Sequence, residues 1–206
     1  MTRIYLLRHG ETEWNHQGNR YCGITDISLN AQGERQAHLT GYALRSASIT
    51  AVYCSPLQRS RQTASIIGQM LNLVPTVDER LYEIDFGLWE GLSRREIEET
   101  YGPEWAAWTR DTDTYRAGTT GNTGAEIAQR YQLFANEQSA KHAEESILII
   151  GHNTANRLFI TATLDLPCRK YRSITQHNCG ISIADRLDEE YVWIQINGTA
   201  HLATNG

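Results

Sequence analysis

The feature that most constrains this chain is a recurring pair: a short, almost purely apolar run, then a stretch with helical spacing. Ile4–Leu7, Ala51–Cys54 and Ser146–Ile150 have the length and composition of strands buried on both faces. Pro56–Leu71 follows the second run and Asn153–Leu164 the third. Asn30–Leu44, with Ala31, Ala37, Tyr42 and Leu44 set among polar residues, follows the first after a polar excursion. Pro56 suits the first turn of its helix, where a missing N–H costs nothing. Glu126–Ala143 reads as a further helix. Buried strands alternating with helices predict an α/β fold, a three-layer sandwich with a mainly parallel central sheet flanked by helices. Gly180–Ala184 and Tyr191–Ile196, separated by the polar turn Arg186–Glu190, predict a hairpin added at an edge. The middle of the chain, Leu88–Trp108, is tryptophan-rich and irregular. Its Trp89, Tyr101, Trp105 and Trp108 predict a small satellite core under a long excursion, with a lid that recognises substrate as the alternative. No repeat and no Pro/Ser-rich linker interrupts the 206 residues, so residues 1–206 are expected to form one domain.

The residues able to do chemistry fall directly after strands. Arg8-His9-Gly10 follows the first, Ser55 to Arg59 the second, and Gly151-His152-Asn153 the third. Ligands of open α/β sheets gather beyond the carboxyl ends of the strands, so two histidines and two arginines are expected in one crevice. The planar fork of arginine matches phosphate oxygens bidentately. A neutral imidazole nitrogen can attack phosphorus and form a covalent intermediate. Guanidiniums can then absorb the transition-state charge, so no metal and no other cofactor is expected. His16, His38, His142, His177 and His201 lack this combination and are read as ordinary core or surface residues. Arg59 and Arg61 lie two apart on one helix and point in different directions, so only one should face the crevice.

Composition narrows the partners. At a net charge of −5 the chain as a whole attracts neither nucleic acid nor anionic membrane, and an anionic substrate must be drawn by a local positive cluster. Cys22, Cys54, Cys168 and Cys179 show no spacing of a disulfide framework or zinc site. The apolar run near Met1 is far short of the ~20 residues of a membrane span, and no cleavage-site pattern follows it. A soluble, cytoplasmic protein is expected, with a small phosphomonoester as its partner and a homodimer as the oligomer to consider.

Leu7-Arg8-His9-Gly10-Glu11-Thr12-Glu13-Trp14-Asn15 resembles the L-R-H-G-x-T-x-x-N signature of the histidine phosphatase superfamily, the group that includes cofactor-dependent phosphoglycerate mutase. Three further segments agree in order and spacing. Ser55–Ala64 resembles the family's S-x-L-x-R-x-x-x-T-A block, Glu83–Gly91 its E-x-x-x-G-x-x-E-G block, and Gly151-His152-Asn153 its second histidine site. The resemblance runs from Ile4 to Leu202. It implies His9 as the nucleophile that becomes phosphorylated, with Arg8, Arg59 and His152 binding the phosphoryl group. It selects Arg59 over Arg61. It implies Glu83 as proton donor to the leaving oxygen and then as base for water; Asp85 is the nearest rival acid. Asn15 and the backbone around Asn153 would complete the phosphate cradle, and Cys22-Gly23 stands where mutases carry a substrate-contacting pair.

The superfamily holds more than one reaction outcome. Phosphoglycerate mutases carry a longer insertion after the acid block, with paired arginines and a lysine. Here that region is short: Arg94 could stand for the lysine, but Trp108-Thr109-Arg110 offers one arginine. The resemblance therefore implies hydrolysis first, a cofactor-dependent mutase as the alternative, and a non-catalytic phospho-ligand binding protein as a third class. Asn197–Leu202 resembles an N-x-T-x-H-L run of metal-independent phosphoserine phosphatases, which puts phosphoserine first among substrates. α-Ribazole phosphate and sugar or glycerate phosphates follow. Two departures are recorded. Phe86 stands where some phosphoserine-specific relatives carry histidine, and Gly121-Asn122-Thr123 stands where many members have Gly-Glu-Ser.

Overall fold

The computed structural model describes residues 1–203. Its first half runs β1 (Thr2–Arg8), α1 (Glu13–His16), α2 (Ala31–Ala43), β2 (Ile49–Cys54), α3 (Gln58–Leu71) and the two-residue β3 (Thr76–Val77). Then come α4 (Arg94–Thr100), α5 (Gly102–Arg110), α6 (Gly124–Lys141), β4 (Ser146–Gly151), α7 (Asn153–Thr163) and the hairpin β5 (Ile181–Leu187) and β6 (Glu190–Gly198). The six strands make one sheet in the order β3-β2-β4-β1-β5-β6. β3, β2, β4 and β1 are mutually parallel, while β5 and β6 extend the sheet antiparallel, as the hairpin reading expected.

Strand periodicity builds the three layers. Side chains alternate faces along a strand, so Ile4 and Leu6 of β1 join Ile147 and Ile149 of β4 in the core beneath α5, α6 and α7. Tyr5, Leu7, Leu148 and Ile150 point the other way, onto Ala64 and Ile67 of α3. Both faces are covered, which is why these strands are near-continuous apolar runs.

Several local expectations are corrected. Pro56 precedes α3, whose N-cap is Leu57. Tyr42 of α2 faces solvent; the buried side of that helix is Gly33, Ala37, Thr40 and Gly41, small residues that let it lie close to α3. The tryptophan-rich middle is not irregular. Ser93 and Glu96 form a capping box that starts α4, and a proline in the first turn starts α5. Nor is it a satellite: Trp89, Trp105 and Trp108 belong to the same buried cluster as Ile4, Leu158 and Phe159. Trp89 meets Trp105 and Trp108 edge-on at 5.5 and 6.2 Å. The polar segment 186–190 is mostly strand, because Leu187 already pairs with Glu190 and only Asp188 and Glu189 turn. A polar run can continue a ladder where the outer strand meets water.

Candidate active site

Sheet register delivers the site. Arg8 at the end of β1 lies opposite Gly151 at the end of β4, and Cys54 of β2 lies opposite Ile150. The His9 amide donates to the Gly151 carbonyl at 3.1 Å, which places His9 beside His152. Three further side chains fasten these ends. Ser60 Oγ donates to the Ile150 carbonyl at 2.6 Å, and Thr63 Oγ1 accepts from the Gly10 amide at 3.0 Å. Asn156 Nδ2 donates to the Leu7 carbonyl at 2.9 Å while its Oδ1 accepts from the His152 amide. The first turns of α3 and α7 are thereby fixed against the strand ends.

The two imidazoles have ring centroids 5.2 Å apart, close enough to contact one phosphoryl group. His9 Nδ1 lies 2.7 Å from the Gly10 carbonyl oxygen. A carbonyl only accepts, so Nδ1 carries the proton and Nε2 keeps its lone pair. His152 is fully buried, and neither of its ring nitrogens has a partner among the described residues. Burial first, and then the positive charge of Arg59, hold both histidines well below the ordinary imidazole pKa. Both are neutral near pH 7.

Arg8 and Arg59 are buried and have no carboxylate partner among the described residues. Arg8 donates to the Gln176 carbonyl and to Asn19 Oδ1; desolvation lowers its pKa to about 10, opposed by the charge of Glu83. Arg59 is wholly buried and donates to the carbonyls of Cys22, Gly23 and Thr25 at 2.7–3.1 Å. The Nε atoms of Arg8 and Arg59 are buried without a partner among the described residues. Arg61 is exposed, so the helix turns only Arg59 inward.

Glu83 approaches from the opposite wall, buried at the N-terminus of α7. Its carboxylate accepts from the Thr154 and Ala155 amides at 2.9 and 2.8 Å and from the Ile84 amide at 2.9 Å. It thus caps a helix whose N-cap residue, His152, supplies no side-chain bond. Desolvation raises its pKa above the usual glutamate value, against the pull of these three donors and of Arg59. The Asn153 amide stands first in the same helix, where no intrahelical acceptor exists. Asp85, the rival acid, is occupied elsewhere: its Oδ1 accepts from the Gly87 amide.

Arg8, His9, Asn15, Cys22, Glu83 and Asn153 all border one cavity of about 200 Å³. Arg59 and His152 lie behind that wall. Asn15 is held as the third residue of α1 by a capping box with Thr12 and by Asn178. Cys22 reaches the cavity as a neutral thiol, its pKa pushed up to about 11 by burial. Gly23 is the expected companion of Cys22 at the substrate. It does not border the cavity; its carbonyl holds Arg59, and a Cβ there would strike the Glu90 carboxylate and the Ile84 carbonyl. His201 also lies elsewhere, Nε2 bonded to Thr40 Oγ1 at 3.0 Å, tying the end of the described chain to α2.

Four contributors were not assigned from sequence. Glu90 accepts from the amides of Ile24 and Thr25 and from the Thr25 hydroxyl, fixing the loop that receives Arg59. Asn156 joins β1 to α7. Arg157 and Arg172 border the cavity. Two of them carried a signal: Glu90 is the second glutamate of the Glu83–Gly91 block, and Arg157 stands four residues after Asn153 on one helical face. At the Gly121-Asn122-Thr123 departure, Asn122 Oδ1 accepts from the Asp85 amide and Nδ2 donates to Glu126, so an amide does the bridging there.

Comparison with known proteins agrees with this geometry. A family model described as histidine phosphatase superfamily (branch 1) matches residues 4–199. Phosphoserine phosphatase 1 of Hydrogenobacter thermophilus is 29% identical over 98% of this chain and 95% of its own length. A probable phosphoglycerate mutase, GpmB, of Proteus mirabilis is 36% identical over 90% of this chain and 85% of its own. A phosphoserine phosphatase mutant from Entamoeba histolytica, solved in complex with phosphoserine, superposes with a TM-score of 0.89 at 26% identity. That match covers 98% of this chain and all of the other.

Proposed function

This chain belongs to the histidine phosphatase superfamily, branch 1, and from that premise we propose that it hydrolyses small phosphomonoesters through a phosphohistidine at His9, without a metal ion, phosphoserine being the first candidate substrate. Phosphatase activity rests on the family and on the phosphatases among its relatives.

The intermediate rests on one observation: Arg8 Nε, Arg59 Nε and both ring nitrogens of His152 are buried around His9 with no partner among the described residues. Unpaired buried charge is strongly unfavourable, and a tetrahedral dianion supplies what these donors lack. Arg8, Arg59, His152, Asn15 and the Asn153 amide would hold its oxygens. His9 Nε2 attacks phosphorus as the ester P–O bond breaks, and protonated Glu83 delivers its proton to the departing oxygen. Glu83, now a carboxylate, takes a proton from water as that water attacks the phosphohistidine. Orthophosphate leaves with Glu83 reprotonated. The guanidiniums and helix amides carry the transition-state charge that a metal would otherwise carry.

The Proteus mirabilis relative favours a mutase as the second reading. Against it, Arg110, the single arginine where mutases have a pair, is exposed and does not border the cavity.

A panel of phosphomonoesters assayed in EDTA tests the reading. Phosphate release from phosphoserine at a rate indifferent to the chelator is expected. A strict magnesium requirement, or rapid isomerisation of 3-phosphoglycerate given its bisphosphate cofactor, would overturn it.

A further inference from the structure

Five arginines border the cavity, Arg8, Arg20, Arg94, Arg157 and Arg172, against one carboxylate, Glu83. Arg20 is paired with Glu96, and Arg94 with Glu98. A phosphoryl dianion would be matched by Arg8 and the buried Arg59. Arg157 and Arg172 then remain as two part-buried cations with no carboxylate partner among the described residues.

Aromatic rings hold both guanidiniums. The Arg172 guanidinium carbon lies 4.5 Å from the Trp105 ring centre and 4.8 Å from that of Tyr171. The Arg157 guanidinium is also 4.8 Å from the Tyr171 ring. Tyr21, edge-on to Trp105 at 6.0 Å, receives a long hydrogen bond from Arg172 Nη2 at 3.4 Å. Ring faces stabilise a guanidinium's charge from above and below. They cannot accept the N–H groups in its plane. Arg172 Nε is in fact buried without a partner among the described residues. Arg157 donates through Nε to the Tyr171 carbonyl at 3.0 Å and through Nη1 to Asn153 Oδ1 at 3.5 Å, leaving Nη2 uncommitted. Two like charges are thus brought to one tyrosine ring with donors to spare, an arrangement that repels itself until an anion lies between or beside them.

We propose that Arg157 and Arg172 form a second anion subsite that takes a carboxylate on the alcohol part of the substrate, so that the enzyme selects phosphomonoesters bearing a second negative charge. The proposal rests on the phosphatase reading above and adds the chemistry of the leaving group. A carboxylate fits because it is planar, matches the guanidinium fork, and is small enough to share the cavity with a phosphoryl group. The contact between Arg157 and Asn153 ties this subsite to the phosphoryl end.

Two substrate pairs that differ chiefly in the carboxylate test it: phosphoserine against phosphoethanolamine, and 3-phosphoglycerate against glycerol 3-phosphate. For the wild-type enzyme, kcat/KM should favour the carboxylated member by roughly 10- to 100-fold, the worth of one or two charge-assisted hydrogen bonds. In Arg172→Met and Arg157→Met that ratio should collapse toward one, mainly through KM. Arg172→Lys, which keeps charge but loses the fork, should fall between and serves if the methionine variants do not fold. No wild-type preference, or variants that retain the full ratio, overturns the subsite while leaving the phosphatase reading intact. Absence of phosphate release from all four esters overturns both.

Discussion

At Glu83, burial favours the neutral acid while three backbone N–H groups favour the anion. Desolvation is the larger influence, and the pKa is raised. A raised carboxyl pKa keeps the proton to higher pH, and ester cleavage is lost as pH climbs through it. His9 has the opposite shift, so it stays neutral and nucleophilic into the acid range. The pH profile of kcat/KM should therefore fall on its alkaline side as Glu83 ionises. Glu83→Gln should remove that limb and cut the rate by ~10²–10⁴-fold on poor leaving groups. The substrate's own ionisation, near pH ~6, should give a limb common to both enzymes. An alkaline limb that persists unchanged in Glu83→Gln would remove Glu83 as the acid. At this scale the sequence was most informative at the strand ends, where His9, Arg8, Arg59 and His152 were expected together and are found together. It was silent on Arg172, whose place depends on the stacking of Trp105 and Tyr171 from distant segments. It gave no sign that the Gly23 carbonyl holds Arg59, because a loop carbonyl used in this way leaves no mark in residue type.

The helices act through their ends. The first turn of α7 gives two amides to Glu83 and, on the proposed mechanism, leaves the Asn153 amide for the substrate, so a helix start would be divided between acid and ligand. The start of α6 is structural: Thr123 and Glu126 form a capping box, and Glu126 also binds Arg116. Thr123→Ala should cost ~1 kcal/mol of stability. Trp89→Ala, which empties the centre of a three-tryptophan cluster, should cost ~3–5 kcal/mol. Urea unfolding of both variants measures the difference; equal losses would mean that Trp89 is not part of the main core. The long elements were readable because apolar spacing and caps are local. The segment Leu88–Trp108 was not, since α4 and α5 are short and exist by burying Ile97, Trp105 and Trp108 against residues far along the chain.

Taken whole, the molecule carries a net negative charge yet sets five of its arginines around one cavity, so the attraction for an anion would be local. Near-continuous apolar strands foretold a sheet covered on both faces, and their spacing foretold parallel order. Register was not legible, and register is what sets Arg8 opposite Gly151 and brings His9 within 5.2 Å of His152. Those two facts turn separated motifs into one anion site. The most direct test is capture of the intermediate. The protein is mixed with p-nitrophenyl phosphate, quenched in alkali within the first turnovers, digested and mapped by mass spectrometry, with Glu83→Gln run alongside to slow release. The account predicts one phosphoryl group on the peptide carrying His9, absent from His9→Ala. A phosphoryl group on any other side chain, or turnover that persists in a correctly folded His9→Ala enzyme, would contradict it.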